Sequence, residues 1–360
     1  MRATRLRGVV LLVFTALGGS AWADTPGPNN AITDVPGISV GHFTGVDAGT
    51  TVVLAANATG QGVAGGVTQR GGSPGTRETD LMRPDNMVET MNAIVLSGGS
   101  AFGLAAASGV MRCLEERGVG FPVGGGVVPI VPTAVSFDRA TCGAPAASRP
   151  DFTSGREACL AASGGAVAQG NVGAGTGAVS GGVKGGIGTA SVVLTKGIVV
   201  GAIVSVNSEG TAYDGNGDLY AASFALDNEF GALLKGGSRP GRVPPSLPGG
   251  PLRSGTNAVV ATNVQLTKSQ ATKIAEMADD GVARAIRPAH TPGDGDTLFV
   301  LGTARIAMVE LGDANEVVTQ IGTAAANAVS RAIVHALLAA KSTACQPSYC
   351  DAFRAECRKR

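Results

Sequence analysis

Short apolar runs rich in Val and Ile recur along the chain, each bounded by Gly, Pro, Asn or Asp. Residues 38–40, 51–55, 93–96, 127–131, 191–194, 198–206, 258–262 and 298–302 read as strands on this pattern. Between them lie segments with helical spacing. Residues 101–117 repeat apolar positions every three to four residues and stop before Gly118. Residues 267–286 open on the capping-box pair Thr267 and Gln270, then align Ile274, Ala278 and Val282 on one face. In residues 319–340, Ile321, Ala325, Val329, Ile333 and Leu337 fall in register. Strands apolar on both faces, interleaved with helices, predict sheets buried under helical layers. Residues 227–254, mostly polar, Gly or Pro, read as a linker. The apolar strand that follows needs partners from the first part, so the two pieces are expected to share one core.

The first residues change the picture at one end only. Arg2, Arg5 and Arg7, an apolar stretch over 9–17, and Ala21-Trp22-Ala23 before Asp24 form a secretory signal. No other segment reads as a transmembrane helix, so a periplasmic or secreted location follows as the expectation. The net charge of +1, with only 10 Phe, 3 Tyr and 1 Trp, favours neither nucleic acid nor an acidic membrane as partner. Six cysteines in an exported chain permit disulfides. Cys142 with Cys159 closes a plausible loop, two of Cys345, Cys350 and Cys357 can staple the tail, and Cys113 in a helical pattern reads as a buried thiol. Three histidines (His42, His290 and His335) leave no His-rich metal site, and neither a metal nor a cofactor is expected. The 55 glycines show no period of three; their clusters at 124–126, 170–177 and 181–188 fit tight turns and close backbone approach.

At the end of the linker, Ser254-Gly255-Thr256-Asn257 turns abruptly into the run 258–261. A hydroxyl residue at the mouth of a buried strand, after a flexible segment, suggests a site of self-cleavage. The Thr or Ser so exposed would carry an α-amine with a reference pKa of roughly 7.7–8.0, able to act as base for its own hydroxyl. Downstream, Asp294 and Asp296 place two carboxylates one residue apart, suited to orienting such an amine and hydroxyl.

Several segments in order carry a family resemblance: AITDVPGISVGH at 31–42, PGTRETDL at 74–81, AIVLSGGSAFGL at 93–104, GNVGAGTG at 170–177, VATN at 260–263, and DGVARAIRPAHT at 280–291 running into DGD at 294–296. The chain resembles the L-aminopeptidase/D-esterase family of self-processing hydrolases, which also holds β-peptidyl aminopeptidases and nylon-oligomer endoamidases. The resemblance implies an α/β fold, a four-layer αββα sandwich similar to the N-terminal-nucleophile hydrolases. It implies a precursor cut into an α-chain part, 24–255, and a β-chain part, 256–360, which stay together as a homo-oligomer, commonly a tetramer.

The site residues that the resemblance implies match this sequence unevenly. The acidic pair falls on Asp294 and Asp296, and the amide that donates to the oxyanion falls on Asn207. In VPTAVSFD at 131–138 the family's tyrosine is Phe137, which fills the space without a hydroxyl to donate. The endoamidases' lysine falls on Gly182; Lys184, two positions on, is either that amine from a shifted position or a solvated loop lysine. The nucleophile position falls on Gly255, with Thr256 one place later and Ser254 one place earlier. Thr256 is favoured and Ser254 is second. Ser100 and the turn at Gly98-Gly99 start a helix whose N-terminal amides face a substrate pocket or serve only the helix. Ser100 lacks the final Gly of a nucleophile elbow, and Gly173, Gly175 and Gly177 do not form a dinucleotide fingerprint.

The expected function is a self-processing aminopeptidase or amidase acting on small peptides, amino-acid amides or related amides. The alternative is a catalytically inactive secreted binding protein on the same scaffold, which Phe137, Gly182 and Gly255 favour. A self-processing acyltransferase of the ornithine acetyltransferase kind is a third reading, and the chain lacks its motifs.

Overall fold

The computed structural model describes residues 24–138, 149–231 and 254–353. The expected signal segment, most of the linker, Cys142 and Cys357 lie outside them. The strands in chain order are β1 (Ile38–Thr44), β2 (Gly49–Ala55), β3 (Ala64–Gln69), β4 (Gly75–Arg77), β5 (Ala93–Ser97), β6 (Phe121–Val123) and β7 (Gly126–Val128). They continue with β8 (Thr133–Val135), β9 (Val179–Ser180), β10 (Val183–Lys184), β11 (Gly186–Val193), β12 (Val199–Val206), β13 (Asn257–Val264) and β14 (Thr297–Ile306). The helices are α1 (Ala106–Glu115), α2 (Phe152–Leu160), α3 (Lys268–Ala285), α4 (Ala314–Ala339) and α5 (Tyr349–Phe353).

Two five-stranded sheets, ordered β1-β2-β5-β8-β4 and β11-β12-β13-β14-β3, carry the fold. Three apolar layers glue four structural ones. Val52, Ala93 and Val95 of the first sheet pack on Val110 and Leu114 of α1 and Ala158 of α2. Val53, Ile94 and Leu96 on its other face meet Ile203, Val259, Ala261, Phe299 and Leu301 of the second sheet. The outer face of that second sheet, Val204, Val260 and Val300, packs on Ile274, Ala278 and Val282 of α3 and Ile321, Val329 and Ile333 of α4. The strict alternation within β13, even positions toward the helices and odd ones toward the first sheet, is the period of two expected of a strand buried on both faces. The order of layers is the αββα sandwich expected.

The α3 capping box forms as expected: Gln270 N donates to Thr267 Oγ1 at 3.2 Å, and Thr267 N to Gln270 Oε1 at 2.9 Å. Other elements differ from the pattern. The expected helix at 101–117 begins as a 3-10 turn over Ser100–Ala105 and becomes α-helical only at Ala106. Only the start of the apolar run 127–131 is strand, β7 closing an exposed hairpin with β6, and the chain enters the first sheet beyond the run, at β8. The glycine cluster before Ser191 is largely strand, because β11 runs under α4 so closely that a Cβ on Gly188 would stand 1.9 Å from Ala332 O.

Cys113 is no thiol: it pairs with Cys159, which ties α1 to α2. The two helices cross at Gly109 and Gly155, where a Cβ would lie 1.8 Å from Phe152 O and 1.9 Å from Ala106 O respectively. That approach brings the two sulfurs together. Cys345 is also disulfide-bonded, whereas the buried Cys350 directs its sulfur to Leu338 O at 3.8 Å. Against expectation, α4 is long and apolar enough to cross a membrane, but 78% of its most apolar window is buried inside the protein. Its apolar character belongs to the core.

Candidate active site

The junction forms where two parallel strands begin. β13 and β14 pair in parallel, with Asn257 opposite Thr297, and an isolated bridge extends the pairing back to Ser254 and Asp294. Gly295 N donates to Ser254 O at 2.8 Å, and Ser254 N to Gly293 O at 3.2 Å. Because side chains repeat every second residue along an extended chain, this register sets the two hydroxyl residues beside the two carboxylates. Ser254 Oγ donates a short hydrogen bond to Asp294 Oδ1. Thr256 N donates to Asp296 Oδ1 at 2.7 Å.

The surroundings separate the two candidates. Thr256 is 1% exposed, and its Oγ1 is buried without a hydrogen-bond partner among the described residues. An unpaired buried hydroxyl costs about 1–3 kcal/mol, so its retention here fits a reactive group better than a packing one. Ser254 is only half-buried, and its hydroxyl is already engaged by Asp294.

Asp294 also accepts from Glu209 N at 3.3 Å and from Thr291 N at 3.0 Å, which fixes its carboxylate plane. Asp296 Oδ2 takes His290 N at 3.1 Å and His290 Nδ1 at 2.8 Å. On the far side of the ring, His290 Nε2 stands 3.1 Å from Asp279 Oδ2 of α3. Burial pulls the imidazole's pKa down, but Asp279 and Asp296 in contact with it more than offset this and raise it to about 9. His290 is therefore a cation at neutral pH, and it holds Asp296 in place behind the nitrogen of Thr256.

Asn207 follows β12. Its backbone O accepts from Gly255 N at 2.7 Å, continuing the β12–β13 pairing into the junction. Its side chain lies across the site: Nδ2 donates to Phe137 O at 3.2 Å, and Oδ1 accepts from Val179 N at 3.0 Å. Phe137 thus contributes its carbonyl to the site, while the residue as a whole is 36% exposed. The carbonyl of Gly255 is met by a residue the sequence did not single out. Ser136 Oγ, fully buried after β8, donates to Gly255 O at 3.2 Å, and Asn257 Nδ2 donates to the same Oγ at 3.3 Å.

Lys184 is buried rather than solvated. Its Nζ donates to Gly175 O at 2.7 Å, Ala178 O at 2.8 Å and Gly185 O at 3.0 Å. Burial lowers its pKa to about 7, against the opposing pull of Asp138. Burial likewise raises Asp138 to about 6, although Gly99 N donates to its Oδ1 at 2.6 Å. Ser100 does not join the cluster: its N donates to Ser136 O at 3.0 Å, so the amides of Gly99 and Ser100 serve the fold. A cavity of about 460 Å³ lies elsewhere, lined by residues such as Gln169, His335, Leu338 and Asp351, and none of the junction residues lines it.

With this geometry in view, the comparisons are decisive for the family. The model of peptidase family S58 matches residues 30–348. The chain belongs to peptidase family S58. It is 43% identical to an uncharacterized aminopeptidase of Mycobacterium leprae, over 91% of this chain and 95% of that one. A 6-aminohexanoate-oligomer endohydrolase of a Kocuria species is 27% identical over 82% of each chain. Among solved structures, a Burkholderia beta-aminopeptidase superposes with a TM-score of 0.67 at 25% identity, covering 93% of this chain and 94% of that one. The L-aminopeptidase D-Ala-esterase/amidase of Ochrobactrum anthropi, described as a variant of the Ntn-hydrolase fold, gives 0.66 at 23% identity, covering 89% and 90%. This S58 member is therefore a hydrolase of the aminopeptidase and amidase type on the N-terminal-nucleophile fold.

The sequence reading missed Ser136, His290 and Asp279. His290 and Asp280 both lie in the motif at 280–291, but the residue that meets the imidazole is Asp279, one place before it. Residue 279 falls on the buried side of α3, which is the only signal that set it apart from its neighbour.

Proposed function

We propose that this S58 member cuts itself between Gly255 and Thr256 and then uses Thr256 as an N-terminal nucleophile on small peptides, amino-acid amides or related amides. The observation that carries the reading is the state of Thr256: its backbone N–H rests on Asp296 at 2.7 Å while its hydroxyl is buried and free. The carboxylate that holds the amide of the precursor is placed to hold the amine of the product. An α-amine with a pKa of about 7.7–8.0 is partly neutral at physiological pH and can take the proton of its own hydroxyl. In turnover Thr256 Oγ1 attacks the substrate carbonyl and the amine shuttles the proton to the leaving group. Asp296 orients the amine, with His290 and Asp279 behind it. Asp294 holds Ser254 in the intact chain. A second amide proton of Asn207 is the candidate donor to the substrate oxyanion, worth about 2.7–4 kcal/mol when preorganised.

The reading extends to the compartment. Export through the segment 1–23 to the periplasm or medium is supported by the Cys113–Cys159 disulfide, since such bonds persist in oxidising surroundings. N-terminal sequencing of the protein from that compartment tests both parts. The expected result is two fragments, one beginning near Asp24 and one at Thr256. A single intact chain in folded, purified protein overturns the self-processing reading, and a fragment beginning at Ser254 moves the nucleophile.

A further inference from the structure

The carbonyl that must carry the negative charge during self-cleavage belongs to Gly255. In the intact chain the side-chain hydrogen bond to that oxygen comes from Ser136 Oγ, at 3.2 Å. The hydroxyl is fully buried and its direction is set: Asn257 Nδ2 donates to Oγ at 3.3 Å, which occupies a lone pair and leaves the proton for Gly255 O. Phe137, the next residue, has no side-chain proton to give, and the Asn207 amide is drawn to Phe137 O and Val179 N. Ser136 reaches the junction because β8 of the first sheet ends opposite the start of β13 in the second. The donor and the scissile carbonyl therefore come from different sheets.

We propose that Ser136 is a catalytic residue of self-cleavage, its hydroxyl donating to the oxyanion that develops on Gly255 O, with Asn257 as the positioning residue behind it. This rests on the self-processing reading above. Attack of Thr256 Oγ1 on the Gly255 carbonyl carbon forms a C–O bond and drives the carbonyl π electrons onto the oxygen facing Ser136. The C–N bond to Thr256 then breaks as the carbonyl re-forms. The hydroxyl proton ends on the departing nitrogen, leaving an ester and a free amine. Water hydrolyses the ester, giving the Gly255 carboxylate and restoring the Thr256 hydroxyl. Ser136 gains and loses no proton overall; its bond strengthens only while charge sits on Gly255 O. A donor that acts this way accelerates the step without changing the stability of the uncut chain to match.

The test follows the appearance of the fragment beginning at Thr256 by intact mass after synthesis, in the wild-type chain and in S136A, S136T and S136V. Thr and Val have the same shape and differ in the hydroxyl alone. S136T is expected to cut within about ten-fold of wild type. S136V and S136A are expected to cut roughly 100-fold or more slowly, as when one oxyanion donor is removed, with melting temperatures matching S136T. Equal cutting by S136V and S136T overturns the proposal, whether both are fast or both are slow, because the hydroxyl then does nothing that shape does not. If S136A misfolds, the Thr/Val pair still decides. A wild-type chain that stays intact overturns the self-processing reading itself, and Ser136 with it. A wild-type chain cut at Thr256 together with a fast S136V removes Ser136 alone.

Discussion

At the mouth of β13, His290 lies between two carboxylates, Asp296 and Asp279; behind α4, His335 and Arg331 close on one carboxylate, Glu229. In the second cluster Arg331, 1% exposed, grips Glu229 with Nε at 2.5 Å and Nη2 at 2.8 Å, and His335 Nε2 adds a third contact at 2.7 Å. Its remaining donors reach Ser191 O at 2.7 Å and Asn30 Oδ1 at 2.8 Å. All three guanidinium nitrogens are engaged, and burial of Glu229 is outweighed by His335 and Arg331, which hold its pKa well below the usual carboxylate range. The Asp296 cluster sets two carboxylates against one imidazole, and keeps Asp296 Oδ1 for the nitrogen of Thr256. The back cluster ties the start of the linker and residue 30 to α4. The front one leaves an acceptor with work to do. Self-sufficiency sets the back cluster apart, and an acceptor kept for the Thr256 nitrogen sets the front one apart.

The largest effect should come from removing what the front cluster serves. Thr256→Ala is expected to leave one uncut band on a denaturing gel and to lower amidase turnover roughly 10⁴-fold or more, with the melting temperature little changed. Cutting that persists moves the nucleophile to Ser254.

Next is the back cluster. Arg331→Met strands Glu229 in the core, and denaturant titration should show a loss of about 3–5 kcal/mol. Those molecules that fold should turn over substrate as wild type does. A variant that keeps its stability but loses turnover would dissolve the distinction between the clusters.

Asp296→Asn keeps the shape and removes the charge that holds the amine. A fall in kcat/KM of roughly 100-fold is expected, with a smaller effect on stability than that of Arg331→Met.

The mildest test uses pH. The folded pKa of His290, about 9, exceeds its ordinary 6.5, so the stability it contributes is fully present below pH 6.5 and is lost as pH rises through 9. Glu229 works the other way: its contribution is present above the ordinary glutamate value and is lost as pH falls toward its depressed one. The melting temperature of His290→Gln should therefore approach that of wild type between pH 6.5 and 9, and Arg331→Met should do so only in acid. Parallel curves for both variants would sink the contrast.

Much of this was legible in the chain and some was not, for identifiable reasons. The layers could be read because Val259, Val260 and their neighbours are apolar on both faces of a strand, and only a doubly covered sheet permits that. The α3 boundary could be read because Thr267 and Gln270 are local partners. The glycines at 186–188 left two readings open, a turn or a close approach, and the second applied against α4. Cys113 looked like a core thiol because its helix gives no hint of Gly155 opposite Gly109. At the junction, the residue types suggested the chemistry, but the pairing of Ser254 with Asp294 and of Thr256 with Asp296 depends on a parallel register between strands some forty positions apart. Ser136 could not be read at all. Nothing in the residues around it distinguishes it, and its partner is a carbonyl that leads into the other sheet.

The strand order of the second sheet has a consequence for a cut chain. β13 and β14 come after the junction, yet they lie between β12 and β3, which come before it. Cleavage at Gly255 would leave two polypeptides interlaced within a single sheet, the β13–β14 pair of one flanked on both sides by strands of the other. Such a pair cannot dissociate by rolling apart; it must unravel. Once unravelled, it must also find its partner by collision, so reassembly would slow with dilution where the uncut precursor would refold at a rate independent of concentration. The intact chain would then be the form able to fold, and the processed one a form that persists chiefly because its route back is closed.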